Sequence, residues 1–136
     1  MPLGTTTADD ILEQMLNDTA VPWDADTDVY LALHTANPGV GGNQTTSEAT
    51  YTSYARVAVT RAGTAWTITG GVAANDNLIQ FPLCTGGTNT LTYVSLGRAA
   101  SGSSQILAVG ALSASLAVAN GIQPQFAVSA LGLTLA

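Results

Sequence analysis

The chain has no lysine, one cysteine, one histidine and three arginines in 136 residues. Each shortage removes a class of function. A lone Cys84 excludes an intrachain disulfide framework and a cysteine-rich zinc site. Its place after Phe81-Pro82-Leu83 predicts a small buried thiol. The scattered Arg56, Arg61 and Arg98 form no basic footprint, so nucleic acid is not an expected partner. With His34 as the only imidazole, a Ser/His/Asp centre would need a convergence that nothing in the spacing announces, and a backbone-bonded, partly buried histidine is expected instead. Residues 29–136 hold only Glu48 and Asp76 as carboxylates, a thin supply for a glycosidase pair. Gly39, Gly41 and Gly42 precede neither a lysine nor a helix start, so no phosphate cradle is expected. The tryptophans and tyrosines are spread out without basic neighbours and make no stacking platform for single strands. Asp24, Asp26 and Asp28 resemble the start of a calcium loop. The sixth and twelfth places of that loop, which call for Gly and Glu, hold Val29 and Thr35. The reading is of a protein that is not an enzyme and carries no cofactor or metal.

Charge is the other shortage. Only 9% of residues are charged, against about a quarter in an ordinary soluble domain, while 46% are hydrophobic. A freely diffusing monomer normally keeps a charged surface for solubility, so this composition suits a surface largely covered by partners. The charge is also segregated. Seven of the nine acids precede residue 29, and the remainder of the chain balances at +1. The net −6 therefore belongs to the N-terminal segment, which suits docking on a neutral or basic protein or simply a solvated acidic face. The start, MPLGTTTADD, lacks the basic and apolar regions of a signal peptide, and no apolar run reaches membrane-spanning length. A soluble, cytosolically made protein that avoids membranes is expected.

What is present is β-prone sequence with turn punctuation. Residues 8–17, ADDILEQMLN, form the one helix signal, with Thr7 as its cap and Asp9 and Asp10 near its positive end. Ile11, Leu12, Met15 and Leu16 make one apolar stripe, which must pack on the protein's own sheet, the first expectation, or on another chain. Thr19–Asp28 is a connection anchored by Trp23. Val29–His34 reads as a buried strand ending in the Thr35–Gly39 turn. The polar Val40–Tyr51 is the expected mobile or partner-contacting loop. Tyr54–Arg61 alternates with period two, Thr64–Ile68 centres a short strand on Trp66, and Leu78–Phe81 is a strand closed by Pro82. Leu91–Leu96 and Gln105–Leu112 flank the small-residue loop Arg98–Ser104, the best hairpin signal in the chain. Phe126–Val128 and Leu131–Leu135 complete the pattern. The length and spacing predict one domain, 1–136, with an N-terminal arm and helix over 1–20. The segment 29–136 is then an antiparallel β-sandwich or jelly-roll-like barrel of about seven to nine short strands.

Taken in order, ILEQMLN, VYLALHTANPG, YTSYARVAVTR, IQFP, TYVSLGRAASGSSQILAVGAL and GIQPQFAVSALGLTLA resemble a family of small virion proteins of tailed bacteriophages. Its members are labelled tail fibre proteins, and some members or relatives are capsid cement (decoration) proteins. The resemblance covers nearly the whole chain and implies no catalytic residues. It implies a virion structural role, most directly a homotrimer on the outer capsid surface that binds the major capsid protein and stabilises contacts between its subunits. A tail-fibre or tail-tip component is the alternative. A carbohydrate-binding module using Trp66 or Trp23 is a third reading from a different class. Trp23, Tyr51, Tyr54, Arg56 and Arg98 are the candidate partner contacts, because aromatic residues and arginine concentrate binding energy. For Trp23 and Tyr54 a core role competes, and for Arg56 the competing role is a buried donor holding the Asn37–Gly39 turn.

Overall fold

The computed structural model describes residues 1–135. It places one helix, α1 (Thr5–Asn17), and nine strands in three antiparallel sheets. The largest sheet runs β2 (Val57–Thr60), β1 (Asp28–His34), β6 (Asn89–Gly97) and β7 (Ala108–Val118) in that spatial order. A second joins β3 (Trp66–Thr69), β4 (Val72–Asn75) and β9 (Gly132–Thr134), and a third pairs β5 (Ile79–Gln80) with β8 (Gln125–Phe126). No sheet closes on itself, so the sandwich alternative describes the chain and the barrel does not.

Strand β1 is buried on both faces, which explains its nearly continuous apolar sequence. Its register with β6 sets Leu31 opposite Leu96 and Leu33 opposite Val94 on the side of the main core. Ala32 with Ser95, and His34 with Tyr93, then share the other face. The main core lies between this sheet and the two smaller ones. Phe81 is fully buried there, its ring 6.4 Å from both Tyr54 and Phe126, stacked on the first and edge-on to the second. Asn75 fastens the returning C-terminal segment: its Nδ2 donates to Ala127 O (2.9 Å), and its Oδ1 accepts from Leu131 N (2.9 Å).

Several expectations change. The helix begins at Thr5 with Gly4 at its N-cap, and Thr7 lies inside it, buried, where its hydroxyl donates to Ile106 O (2.9 Å). A long-range acceptor wins over the local capping role. Strand β2 covers only the second half of Tyr54–Arg61. Strand β4 has no alternation to announce it, being small residues between Gly70-Gly71 and Asn75-Asp76-Asn77. Strand β7 continues past Leu112 to Val118 through a bulge, where Ala111–Leu116 of β7 opposes Leu91–Tyr93 of β6. The Val40–Tyr51 segment is packed rather than loose: Gln44 is fully buried, and Ala49 and Tyr51 join the core.

Replacing fully buried Leu91 by alanine is expected to cost about 2–5 kcal/mol of unfolding free energy. Urea denaturation with an unchanged slope would show this, and a loss below about 1 kcal/mol would place Leu91 outside the core.

Candidate interaction surfaces

The five candidate contact residues divide between interior and surface. Tyr51 is buried, its hydroxyl donating to Pro82 O (2.8 Å), and burial pushes that hydroxyl's pKa up to about 12. The Tyr54 hydroxyl accepts from Leu33 N (3.1 Å) and donates to Glu48 Oε1 (3.0 Å), and burial raises its pKa further still. Arg56 is buried. Its Nε and Nη2 grip Glu48 bidentately at 2.7 and 2.9 Å, while Nη1 donates to Ala99 O (3.0 Å) and Nη2 to Gly102 O (2.7 Å). Arg56 is thus the expected internal donor, but it holds the tip of the β6–β7 hairpin and not the Asn37–Gly39 turn. That turn is held by the Asn37 side chain, whose Oδ1 accepts from Gly39 N (2.9 Å).

Arg98 and Trp23 meet at the acidic connection. Arg98 Nε donates to Asp26 Oδ2 (2.6 Å) and its Nη2 to Pro22 O (2.6 Å). The guanidinium holds the Asp26 carboxyl below its ordinary pKa, and Asp26 raises that of Arg98. Arg61 Nη1 donates to the carbonyl oxygens of Trp23 and Asp26 from the other side. The Trp23 side chain is half-buried.

Behind β1 lies a buried polar chain. His34 Nδ1 is 2.9 Å from Thr46 O, which can only accept, so Nδ1 carries the proton. Nε2 therefore accepts from the Ser95 hydroxyl at 2.8 Å, and Ser95 Oγ accepts in turn from Gln44 Nε2 at 3.2 Å. Burial lowers the His34 pKa, because the charged imidazolium would lose its hydration there. Gln44 Oε1 is buried without a hydrogen-bond partner, and a Cβ at Gly97 would sit 2.1 Å from it. Only glycine fits there. Glu48, Gln44 and Ser95 are the members of these networks that sequence reading missed, since no local pattern links them. Ser95 and His34 are both fully buried, so the one serine–imidazole pair faces no solvent.

Three open surfaces present apolar residues, and neither the cavity beside β7 nor the groove beside α1 has a carboxylate in its lining. Strand β7 ends its sheet. The N-terminal arm covers its start, through the Leu3–Ala108 bridge and Val109 N donating to Pro2 O (3.0 Å). From Ala111 to Val118 its outer edge pairs with no other segment among the described residues, and ALSASLAV contains no charge or proline. Beside it opens a cavity of about 560 Å³ that reaches the core residues Leu33, Leu91, Val94 and Leu131. A second, apolar groove of about 310 Å³ lies between α1 and the β3-β4-β9 sheet, walled by Ile11, Trp23, Arg61, Trp66, Ile68 and Leu135. The helix stripe itself is only partly packed. Ile11 is half-buried, but Leu12, Met15 and Leu16 are 52%, 70% and 75% exposed. No helix among the described residues is long and apolar enough to cross a membrane.

A family model described as podophage GP4 fiber I protein gp80 matches residues 2–134. No curated protein matches the chain.

Arg56→Ala strands the Glu48 carboxylate and is expected to cost about 3–5 kcal/mol, of which an added Glu48→Gln recovers part. Chemical denaturation of both variants checks this, and a single-variant cost below about 1 kcal/mol would show the pair to be dispensable. For His34 the folded pKa lies below the ordinary imidazole value of 6.5. The unfolded chain therefore takes up the proton first, and His34's contribution is complete above 6.5 and lost as pH falls towards the folded value. Thermal melts from pH 7.5 to 5 should show a steeper loss in the wild type than in His34→Gln, and parallel curves would contradict this.

Proposed function

The chain belongs to the family of the podophage GP4 fibre I protein gp80, and from that membership we propose that it is a fibre subunit of the virion that works only as an assembled homotrimer. The β7 edge carries this reading. An uncharged, unpaired strand edge beside a cavity that reaches the core is a surface that a free monomer would normally blunt with lysine, proline or a covering loop. Its unpaired N–H and C=O groups suit pairing with an extended segment, and the cavity would take that segment's apolar side chains. The low charge fits the same role, because such faces can be buried without desolvating many ions. The role calls for no catalysis and no cofactor.

A capsid cement protein on the outer shell, gripping the major capsid protein, is the second reading. One observation favours it: the chain has neither an internal repeat nor a heptad helix from which an elongated shaft could be built, α1 being 13 residues long. Three linked copies would then multiply a weak contact with each capsid subunit through effective concentration and raise the cost of separating the shell.

Labelled antibody on purified particles, with quantitative mass spectrometry of the same particles, separates the two. The fibre reading expects few copies, in multiples of three, confined to the tail. Many copies spread over the shell would support the cement reading. Absence from the particle would end both.

A further inference from the structure

We infer that α1 of one copy seats its Leu12–Met15–Leu16 stripe in the Trp23–Trp66–Ile68–Leu135 groove of a second copy, and that this contact holds the copies together. The inference rests on the reading that the chain self-assembles, and it names the surfaces that do so.

The helix has an inner and an outer apolar edge. At about 100° per residue, Ile11, Met15, Leu12 and Leu16 sweep an arc of roughly 140°. Only the Ile11 end of that arc touches the chain's own body. The first turn is fastened there by Gly4 N donating to Leu107 O (3.0 Å), Thr5 N to Val40 O (2.9 Å) and the Thr7 hydroxyl to Ile106 O (2.9 Å). The stripe on the last two turns lies outside its own groove. The groove in turn exposes apolar surface that no other described residue covers, Ile68 at 73% and Leu135 at 53%. Two unpartnered apolar surfaces on one molecule are a larger liability than scattered exposed side chains.

Charge selects a second copy as the occupant. The helix and its C-cap carry Asp9, Asp10, Glu13 and Asp18 and no cation. Asp9 and Glu13 follow Leu16 around the helix and therefore border the stripe. Of the three arginines, Arg56 and Arg98 are in ion pairs with Glu48 and Asp26. Arg61, on the groove wall, is bonded to backbone carbonyls and is in no ion pair among the described residues. An incoming acidic helix thus brings its apolar stripe to the groove and a carboxylate to the available guanidinium. The same acids repel an anionic lipid surface. Because the helix face and the groove are different patches, the contact can repeat head to tail and close into a ring, the form that a cyclic trimer requires.

Light scattering on the purified full chain first tests the premise. A wild type that stays monomeric at all concentrations defeats the self-assembly reading itself. With an oligomeric wild type, separately tagged Met15→Cys and Ile68→Cys chains are mixed and treated with a short bis-maleimide. Both positions are exposed, and the native Cys84 is fully buried. The expected product joins one chain of each kind. Leu16→Glu and Ile68→Glu should each weaken association by about 100-fold or more while leaving the melting curve of the monomer unchanged. An oligomer that persists in both Glu variants overturns the inference. So does cross-linking only between two Met15→Cys chains, or no cross-link at all.

Discussion

One buried guanidinium determines how the segments around the large sheet come together. Strand β2 pairs with β1 no further than Leu31, so the next free donor on that edge is the Leu33 N–H. The Tyr54 hydroxyl accepts from it and donates to Glu48, and Glu48 is clamped by Arg56. The Leu33 carbonyl accepts from Ala49 N (2.8 Å), bringing in the same loop that carries Glu48. From the far side of its plane Arg56 reaches the Ala99 and Gly102 carbonyls, where Gly102 adopts φ +77° at the hairpin tip. A loop, a strand end and a hairpin tip therefore share one cation. Such a pair adds little net stability over an apolar filling, yet leaving it half-made is costly. Its effect is to select one arrangement of these segments.

The same economy of charge shapes the outside. With Arg56 and Arg98 in ion pairs and most acids gathered near the N-terminus, much of the surface is alanine, serine, threonine and glycine. Arg61 and Arg98 pull the acidic connection Thr19–Asp28 onto the body, so it is a clasped strap and not a free tail. The β7 edge is then left without a charge, while the apolar helix stripe is bordered by Asp9 and Glu13 and the groove beside Trp66 by Arg61. The chain belongs to the gp80 fibre family, and in the assembly we propose such faces would be covered.

Legibility in the sequence followed the range of the interactions concerned. The β6–β7 hairpin, buried β1, the Pro82 stop after β5 and the burial of Cys84 and His34 all rest on neighbouring residues, and all were readable. Strand β4 was not, because small residues between glycines and asparagines carry no period. The full length of β7 was hidden by its bulge, which breaks alternation at Leu112–Ser115. Tyr51, Tyr54 and Arg56 stand out in the sequence as contact candidates, with a core role competing for Tyr54 and an internal donor role for Arg56, but their interior partners were not readable.

The amino-acid sequence by itself determined the class of fold, the strand-like runs, the single helix and the scarcity of chemistry for catalysis. These follow from backbone propensity, alternation and composition, which are local or additive. Only the tertiary structure decided which distant side chains meet. Arg56 meets Gly102 across 46 positions, and Thr7 meets Ile106 across 99. Such pairings depend on the whole chain being in register, and no window of sequence contains both partners. The exposure of Leu12, Met15 and Leu16 is of the same kind. Their spacing specifies a stripe, and the position at which the first turn is anchored specifies that the stripe faces outward.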